Sequence, residues 1–138
     1  MLRTTEANLL MNRILVVDDN NDILQIVKII LENNGFEVLV TPNGEETYSK
    51  TDTFHPHLIL MDVFLSAGID GREICKTLKS NTPTKDIPVI LFSAQIKMDD
   101  AFVKWGADDF IAKPFEVKEL ISKIKSHLPP SNGLAHLQ

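Results

Sequence analysis

Short apolar runs alternate with segments of helical periodicity from Arg13 to about Leu128. Five runs have the length of β-strands, and four of them lack the polar alternation of a strand with one solvated face. Strands are therefore predicted at Ile14–Val17, Phe36–Val40, Leu58–Met61, Val89–Phe92 and Phe110–Ala112. Such uninterrupted runs are typical of parallel strands covered on both faces. The second run is more mixed, so its strand is predicted at an edge of the sheet.

The segments between the strands repeat apolar residues at helical spacing. Within Asp22–Asn33 the predicted buried stripe is Ile23, Ile26, Val27, Ile30 and Leu31. The last helix has a predicted stripe of Val117, Leu120, Ile121, Ile124 and Leu128. The Pro129-Pro130 pair is expected to end that helix. Shorter helices are predicted at Glu45–Lys50, Arg72–Ser80 and Met98–Trp105.

Strand and helix alternate five times with short connections. This order implies right-handed crossovers and an α/β fold with a doubly wound parallel sheet. We expect residues 13–128 to form one domain, preceded by an N-terminal extension at residues 1–12 and followed by a C-terminal tail at residues 129–138.

Composition narrows the range of functions. The chain has 138 residues and a net charge of −5, with no Lys/Arg run that would favour direct binding to nucleic acid. No apolar stretch approaches the roughly 20 residues that span a bilayer, and no signal peptide is evident. The single cysteine, Cys75, excludes an internal disulfide and fits a reducing compartment, so a cytoplasmic location is expected.

Polar residues stand at the carboxyl ends of four predicted strands. Asp18 and Asp19 follow the first strand, Asp62 the third, Ser93 the fourth and Lys113 the fifth. In open α/β sheets, ligands bind at the edge where the carboxyl ends of the strands meet. We therefore expect three carboxylates, a hydroxyl and an ammonium group to converge on one crevice.

This set of groups is suited to phosphoryl transfer with a divalent cation. Three neighbouring carboxylates repel one another, and Mg²⁺, or Mn²⁺ in its place, would compensate their charge. A carboxylate so placed is a competent nucleophile towards phosphorus and gives an acyl phosphate. The cation and Lys113 would stabilise charge on the phosphoryl oxygens, and Ser93 could donate a hydrogen bond to one of them.

At these positions the chain resembles the receiver domains of two-component response regulators, of the stand-alone, chemotaxis-regulator-like kind. The resemblance covers about residues 13–128. Its motifs are ILVVDD ending at Asp19, LILMD ending at Asp62, LFSA around Ser93 and GADDFIAKPF containing Lys113. Each motif is weak alone, but together they occur in the correct order and spacing. The resemblance implies a flavodoxin-like, five-stranded sheet with strand order 2-1-3-4-5.

The resemblance also assigns roles around the metal. Asp62 is implied to be the phosphoacceptor, and it shares the cation with the other carboxylates. Asp19 is implied to be a direct ligand, whereas Asp18 acts mainly through a bound water. The backbone carbonyl of Phe64 is implied to complete the protein ligands.

Three further positions are implied to couple phosphorylation to conformation. Ser93 would be the hydroxyl that moves towards the phosphoryl group, and Phe110 the aromatic switch coupled to it. Lys113 would pair with the phosphoryl oxygens, and its bond to Pro114 is implied to be a cis peptide.

The expected function is that of a phosphorylation switch rather than a turnover enzyme, with self-catalysed, Mg²⁺-dependent phosphorylation and dephosphorylation. The donor would be a histidine kinase or a phosphotransfer protein, and the output would be altered binding of a downstream protein target. One alternative is a protein-interaction module that works without phosphorylation. Another is an aspartyl-phosphate phosphatase of the haloacid dehalogenase type, which Phe64 disfavours because such enzymes carry a second aspartate there.

The chain departs from the family pattern in three places. After Asp62 it reads VFLSAGIDG, without the usual Met-Pro turn and about one residue longer. Phe64, two residues past the acceptor, is expected to shield the acyl phosphate and slow its hydrolysis. The segment from Ser93 to Phe110 is about two residues shorter than in many relatives, so its helix is expected to be short or displaced.

Overall fold

The computed structural model describes residues 11–94 and 100–129 of the chain. Within them, five parallel strands form one sheet in the order β2-β1-β3-β4-β5. The strands are β1 (Arg13–Val17), β2 (Glu37–Thr41), β3 (Leu58–Asp62), β4 (Val89–Ser93) and β5 (Asp109–Ala112). The doubly wound, flavodoxin-like fold and its strand order are confirmed, and β2 lies at an edge as predicted.

In the described part of the chain, three α-helices and three 3₁₀ segments lie between the strands, and a fourth α-helix follows β5. The α-helices are α1 (Asn21–Asn33), α2 (Thr47–Phe54), α3 (Gly71–Ser80) and α4 (Val117–Ser126). The 3₁₀ segments are Gly44–Glu46, Ser66–Gly68 and Asp100–Trp105. The predicted helix Met98–Trp105 is a 3₁₀ segment over its described part, and residues 98 and 99 lie outside the described residues. The expectation of a short or displaced helix here also depends on residues 95–99, which lie outside the described residues.

The sheet separates two hydrophobic cores. Successive β1 residues alternate between them, since Ile14 and Val16 lie in one core while Leu15 and Val17 lie in the other. Helices α1 and α4 cover the first core, and α3 covers the second. These four side chains have no exposed surface. At ~1.5–3 kcal/mol for each fully buried aliphatic side chain, burial on both faces holds the strand ends in place.

Two positions of the predicted stripes are wrong. Ile26 of α1 is 50% exposed, and Leu24 takes the buried position instead. Seven of the 13 residues in α1 are apolar, more than one face can hold, so periodicity alone permits overlapping stripes. Val117 is also 50% exposed, because α4 contacts the core through Leu120 and Ile124 and Val117 lies at its first position.

The end of α4 also differs from prediction. The helix stops at Ser126, ahead of the two prolines, and His127 forms its C-cap by donating its N–H to Ile124 and Lys125 carbonyls. Most of the predicted N-terminal extension and C-terminal tail lies outside the described residues. Across residues 11–94 and 100–129, no helix combines the length and apolarity required to cross a bilayer.

Candidate functional site

Strand register brings the predicted site residues to one edge of the sheet. Asp62 is the last residue of β3 and pairs with Phe92, and the next β4 residue, Ser93, pairs with Ala112 of β5. Asp18 directly follows β1, and β1 pairs with β3 on the side of β3 that faces away from β4. The carboxyl ends of β1, β3, β4 and β5 therefore meet, and the predicted convergence is observed.

The three carboxylates form one cluster. Asp18, Asp19 and Asp62 each offer an oxygen, and these oxygens lie within 4.8 Å of one another. Nζ of Lys113 lies 2.6 Å from Oδ2 of Asp18 and 3.5 Å from Oδ1 of Asp62. One ammonium thus faces three acidic groups, and two negative charges are left for another cation to compensate.

Asp18 is fixed in orientation. Its side chain is fully buried, Oδ1 accepts the N–H of Asn20 at 2.8 Å, and Oδ2 accepts from Lys113. The Asn20 side chain in turn accepts the N–H groups of Asp22 and Ile23 as the N-cap of α1. Both Asp18 oxygens already have protein partners, which fits the implied role of acting on a cation through water.

Asp19 is exposed and has a partner that the sequence did not indicate. The hydroxyl of Ser66 donates to Oδ2 of Asp19 at 3.0 Å. Ser66 begins the 3₁₀ segment after β3, in the loop where the expected proline is missing. The missing proline indicated that this loop takes an unusual path, but the sequence alone did not show that the Ser66 hydroxyl would reach Asp19.

The carboxyl of Asp62 is electrostatically strained in its ionised form. It is 5% exposed, and burial, reinforced by the negative charge of Asp18, raises its pKa to about 6. Lys113 acts in the opposite direction and lowers the pKa. A hard divalent cation would relieve this cost, and a set of clustered carboxylate oxygens is the donor chemistry that Mg²⁺ prefers. The residues present therefore fit the implied metal.

The backbone carbonyl of Phe64 takes no part in the hydrogen bonds between its own segment and the segment around Asp70. Phe64 and Asp70 form an isolated antiparallel pair, flanked by the bonds Leu65 N–H to Ile69 C=O and Gly71 N–H to Val63 C=O. In such a non-hydrogen-bonded pair, the N–H and C=O of each residue point away from its partner. This geometry fits the implied use of the Phe64 carbonyl as a metal ligand.

Helix α3 begins directly against the acceptor strand. A Cβ on Gly71 would come within 1.9 Å of the Asp62 carbonyl oxygen, so glycine is required at this position. Asp70 is the N-cap and accepts the N–H of Arg72. The close approach holds the loop that carries Phe64 against the start of α3.

The remaining predicted residues surround this cluster. Ser93 is 2% exposed at the end of β4, and its carbonyl accepts the N–H of Lys113 at 3.1 Å. The Lys113–Pro114 bond is cis, as the resemblance implies. Nζ of Lys113 lies 4.4 Å from the centre of the Phe92 ring. Phe110 is 2% exposed in β5 and belongs to the core under α3, so it lies within the fold rather than at the carboxylate cluster.

Comparisons with known proteins agree with this geometry. The family model for the response regulator receiver domain matches residues 14–125. The phosphate regulon transcriptional regulatory protein PhoB of Escherichia coli (strain K12) is 38% identical over 116 residues, which cover 83% of this chain and 50% of PhoB. The chain thus spans about half the length of the curated relatives it matches.

Solved structures show the same fold. The receiver domain of NtrX from Brucella abortus superposes with a TM-score of 0.76 at 30% identity, covering 86% of this chain and 99% of that one. The Vibrio cholerae chemotaxis protein CheY4 gives a TM-score of 0.79 at 25% identity, covering 86% and 99%. The fold of this chain is thus a known architecture.

Proposed function

Because this chain belongs to the response regulator receiver domain family of two-component signalling, we propose that it accepts a phosphoryl group on Asp62 and thereby changes its binding to a downstream protein. The phosphoryl donor is a phosphohistidine of a histidine kinase or of a phosphotransfer protein. The observation that carries the proposal is the position of Asp62, nearly buried beside two further carboxylates and 3.5 Å from the Lys113 ammonium.

The chemical step uses the ionised Asp62 carboxylate as nucleophile. One of its oxygens forms a bond to phosphorus while the bond from phosphorus to the donor imidazole nitrogen breaks, and the imidazole keeps the electron pair. Lys113 already contacts Asp62 and Asp18, so it is placed to pair with a phosphoryl oxygen on the same carboxylate. Ser93, at the end of the neighbouring strand, would donate its hydroxyl to another phosphoryl oxygen.

A cation would be held by Asp19, Asp62 and the Phe64 carbonyl, with Asp18 acting through water. When bound, Mg²⁺ or Mn²⁺ supplies positive charge that offsets the charge on the transferring phosphoryl oxygens. The side chains already restrict the orientation of this site, because Asn20 and Lys113 fix Asp18 and Ser66 holds Asp19.

Phosphorylation would favour a conformation in which Ser93 and Phe110 shift together. Both belong to paired strands, since Leu91 of β4 pairs with Phe110 and Ser93 pairs with Ala112. A change at the end of β4 can therefore reach the surface around Asp100–Trp105 and β5. We place the output surface there, on a protein that acts by binding or by passing on its phosphoryl group. We also propose that it works in the cytoplasm.

The decisive experiment is the intact mass of the protein after incubation with acetyl phosphate and Mg²⁺. We expect a gain of one phosphoryl group that requires Mg²⁺ and is lost in Asp62→Asn. The matched control is Asp52→Asn, which removes an exposed carboxylate from α2 and should leave the gain unchanged.

Absence of a mass gain with acetyl phosphate calls for a repeat with a phosphorylated histidine phosphotransfer domain as donor. Failure with both donors would overturn the proposal and favour a protein-interaction module that works without phosphorylation.

A further inference from the structure

The side chain of Arg72 contacts two aromatic rings at the margin of the proposed phosphorylation site. Its guanidinium carbon is 5.6 Å from the centre of the Phe64 ring and 5.2 Å from the Trp105 ring. Both distances are within the range of cation–π attraction, which in proteins involves arginine more often than lysine. The three side chains connect the loop after β3, the first turn of α3 and the segment before β5.

The guanidinium is held in place from α3. Its Nε and Nη2 groups donate to the two oxygens of Asp70 at 3.0 and 2.7 Å. Asp70 is itself held, because its Oδ1 also accepts the backbone N–H of Arg72 as the N-cap of the helix. Hydrogen bonding between the pair lowers the pKa of the Asp70 carboxyl and raises that of Arg72. The Arg72 guanidinium is thus fixed to the start of the helix, so the aromatic rings pack against a group whose position is held.

Phe64 lies two residues past the acceptor Asp62, in the loop that leaves β3. The intervening and following residues, Val63 and Leu65, are buried in the core under α3 together with Met61. Asp62 and Phe64 alternate with these three residues in sequence and do not belong to that core. The Phe64 ring is 44% exposed, and its cation–π contact with Arg72 restrains it at the mouth of the site.

Trp105 is the second aromatic neighbour of the guanidinium. It is the last residue of the segment Asp100–Trp105, and Gly106 follows it with a left-handed φ of +80°. The same segment is anchored to the core through Phe102, and α3 packs against it. Arg72 therefore links the Phe64 ring near the acceptor to a segment that is anchored in the core.

We propose that Arg72 is a positioning residue that holds the Phe64 ring over the approach to Asp62 and thereby lengthens the lifetime of its acyl phosphate. This inference rests on the proposed function. In hydrolysis, a water oxygen forms a bond to phosphorus, the bond from phosphorus to the Asp62 oxygen breaks, and the carboxylate and inorganic phosphate are released as the water proton passes to solvent. A Phe64 ring held by Arg72 hinders that water, whereas a ring free to rotate away leaves its path open.

The test is a double-mutant cycle on the rate at which the phosphorylated protein loses its phosphoryl group. The four proteins are wild type, Phe64→Ala, Arg72→Ala and the double variant, each phosphorylated with acetyl phosphate and Mg²⁺ and then freed of donor. We expect each single variant to lose the phosphoryl group about threefold faster, because one exposed cation–π contact has an energy that corresponds to a rate change of about this size. The double variant should be no faster than Phe64→Ala.

The cycle separates positioning from general loosening of α3. A merely structural role of Arg72 would accelerate hydrolysis equally with and without the Phe64 ring, so additive effects would overturn the inference. An unchanged lifetime in Arg72→Ala would overturn it as well. The matched control is Lys76→Ala, which removes an exposed positive charge from the same helix and should leave the lifetime unchanged.

A second readout comes from Trp105, the single tryptophan of the chain. Its fluorescence should change in Arg72→Ala and remain as in wild type in Lys76→Ala. A wild-type protein that takes no phosphoryl group from either donor would overturn the proposed function and this inference together. Normal phosphorylation with four equal lifetimes would overturn only the inference.

Discussion

The hydroxyl of Ser66 donates to the carboxylate of Asp19 at 3.0 Å, joining two loops that are 47 residues apart in the chain. The loop reaches this position through a left-handed turn, with φ of 62° at Ala67 and 72° at Gly68. A left-handed alanine costs ~1–2 kcal/mol, so the turn must be supported by its surroundings. The contacts Leu65 N–H to Ile69 C=O and Ser66 to Asp19 provide that support.

We predict that Ser66→Ala weakens Mg²⁺ binding. Asp19 is exposed, and without the hydroxyl its carboxylate must be ordered by the cation itself. A single hydrogen bond to a charged group at the surface contributes ~1 kcal/mol, so the dissociation constant should rise roughly fivefold. Calorimetric titration with MgCl₂ measures it. Ser80→Ala on α3 is the control, and equal affinity in both variants would show that Ser66 does not organise the site.

The sequence predicted the edge of the sheet at which the site forms because that prediction needs only strand order and strand ends. Asp18, Asp62 and Ser93 stand where apolar runs stop, and a run covered on both faces cannot continue through a charged group. The contact between Ser66 and Asp19 depends instead on the backbone path of a loop. That path is determined by two left-handed residues, of which only Gly68 favours such a conformation in sequence.

The raised pKa of Asp62 predicts a pH-dependent stability of the metal-free protein. Its folded pKa of about 6 lies above the unfolded value of 3.8, so the folded state binds the proton more tightly. The associated stability is fully present below pH 3.8 and is lost as the pH rises through 6. Asp62→Asn, which cannot ionise, should therefore be more stable than wild type at pH 8 by about 2 kcal/mol, and no more stable at pH 4.

Urea unfolding in EDTA at the two pH values tests this expectation. Adding Mg²⁺ at pH 8 should close much of the gap, since the cation stabilises the ionised carboxylate of wild type and not the amide. Equal stabilities of wild type and Asp62→Asn at pH 8 would contradict the structural account of the pKa.

His57 should produce the opposite pH dependence. Its Nδ1 accepts the backbone N–H of Arg13 at 2.8 Å, and burial together with the charge of Arg13 lowers its pKa from 6.5. Protons then bind more tightly to the unfolded chain, so stability is lost as the pH falls below 6.5 towards the folded pKa. In an Asp62→Asn background, which removes the competing titration, the urea midpoint should decrease as the pH is lowered from 7.5 to 5.

Substitution of His57 in this background tests whether its imidazole causes the loss of stability at low pH. Asparagine can accept the Arg13 N–H through its carbonyl and does not titrate, so His57→Asn should flatten the profile. If His57→Asn leaves the change of the urea midpoint with pH unaltered in the Asp62→Asn protein, another residue is responsible for the acid sensitivity.

The stack on Arg72 shows a second limit of sequence-based prediction. Phe64 and Trp105 are 41 positions apart, and neither has a periodic pattern that links it to the other. Their common contact exists because α3 starts against the acceptor strand and the segment before β5 packs on α3. The same effect explains Ile26, since the sheet selects Leu24 from several apolar residues that periodicity treats alike. Tertiary packing decides between alternatives that the local pattern leaves equal.

Lys113 is predicted to be a major stabilising group only while the site lacks a cation. Its ammonium pairs with the fully buried Asp18 and with Asp62, so Lys113→Met leaves two carboxylates without a positive neighbour. Methionine retains apolar contact with Phe92, which confines the change mainly to charge. Breaking a buried pair from one side costs ~3 kcal/mol, and thermal unfolding in EDTA should show a loss of several degrees or more.

Magnesium should then rescue the variant more than it stabilises wild type, because the cation supplies the charge that the lysine supplied. The increase in unfolding temperature on adding Mg²⁺ should therefore be larger for Lys113→Met than for wild type, although phosphorylation of Asp62 falls in the variant. Lys118→Met, an exposed change on α4, should behave as wild type in both measurements. An equal response of Lys113→Met and wild type to Mg²⁺ would mean that lysine and cation do not compensate the same carboxylates.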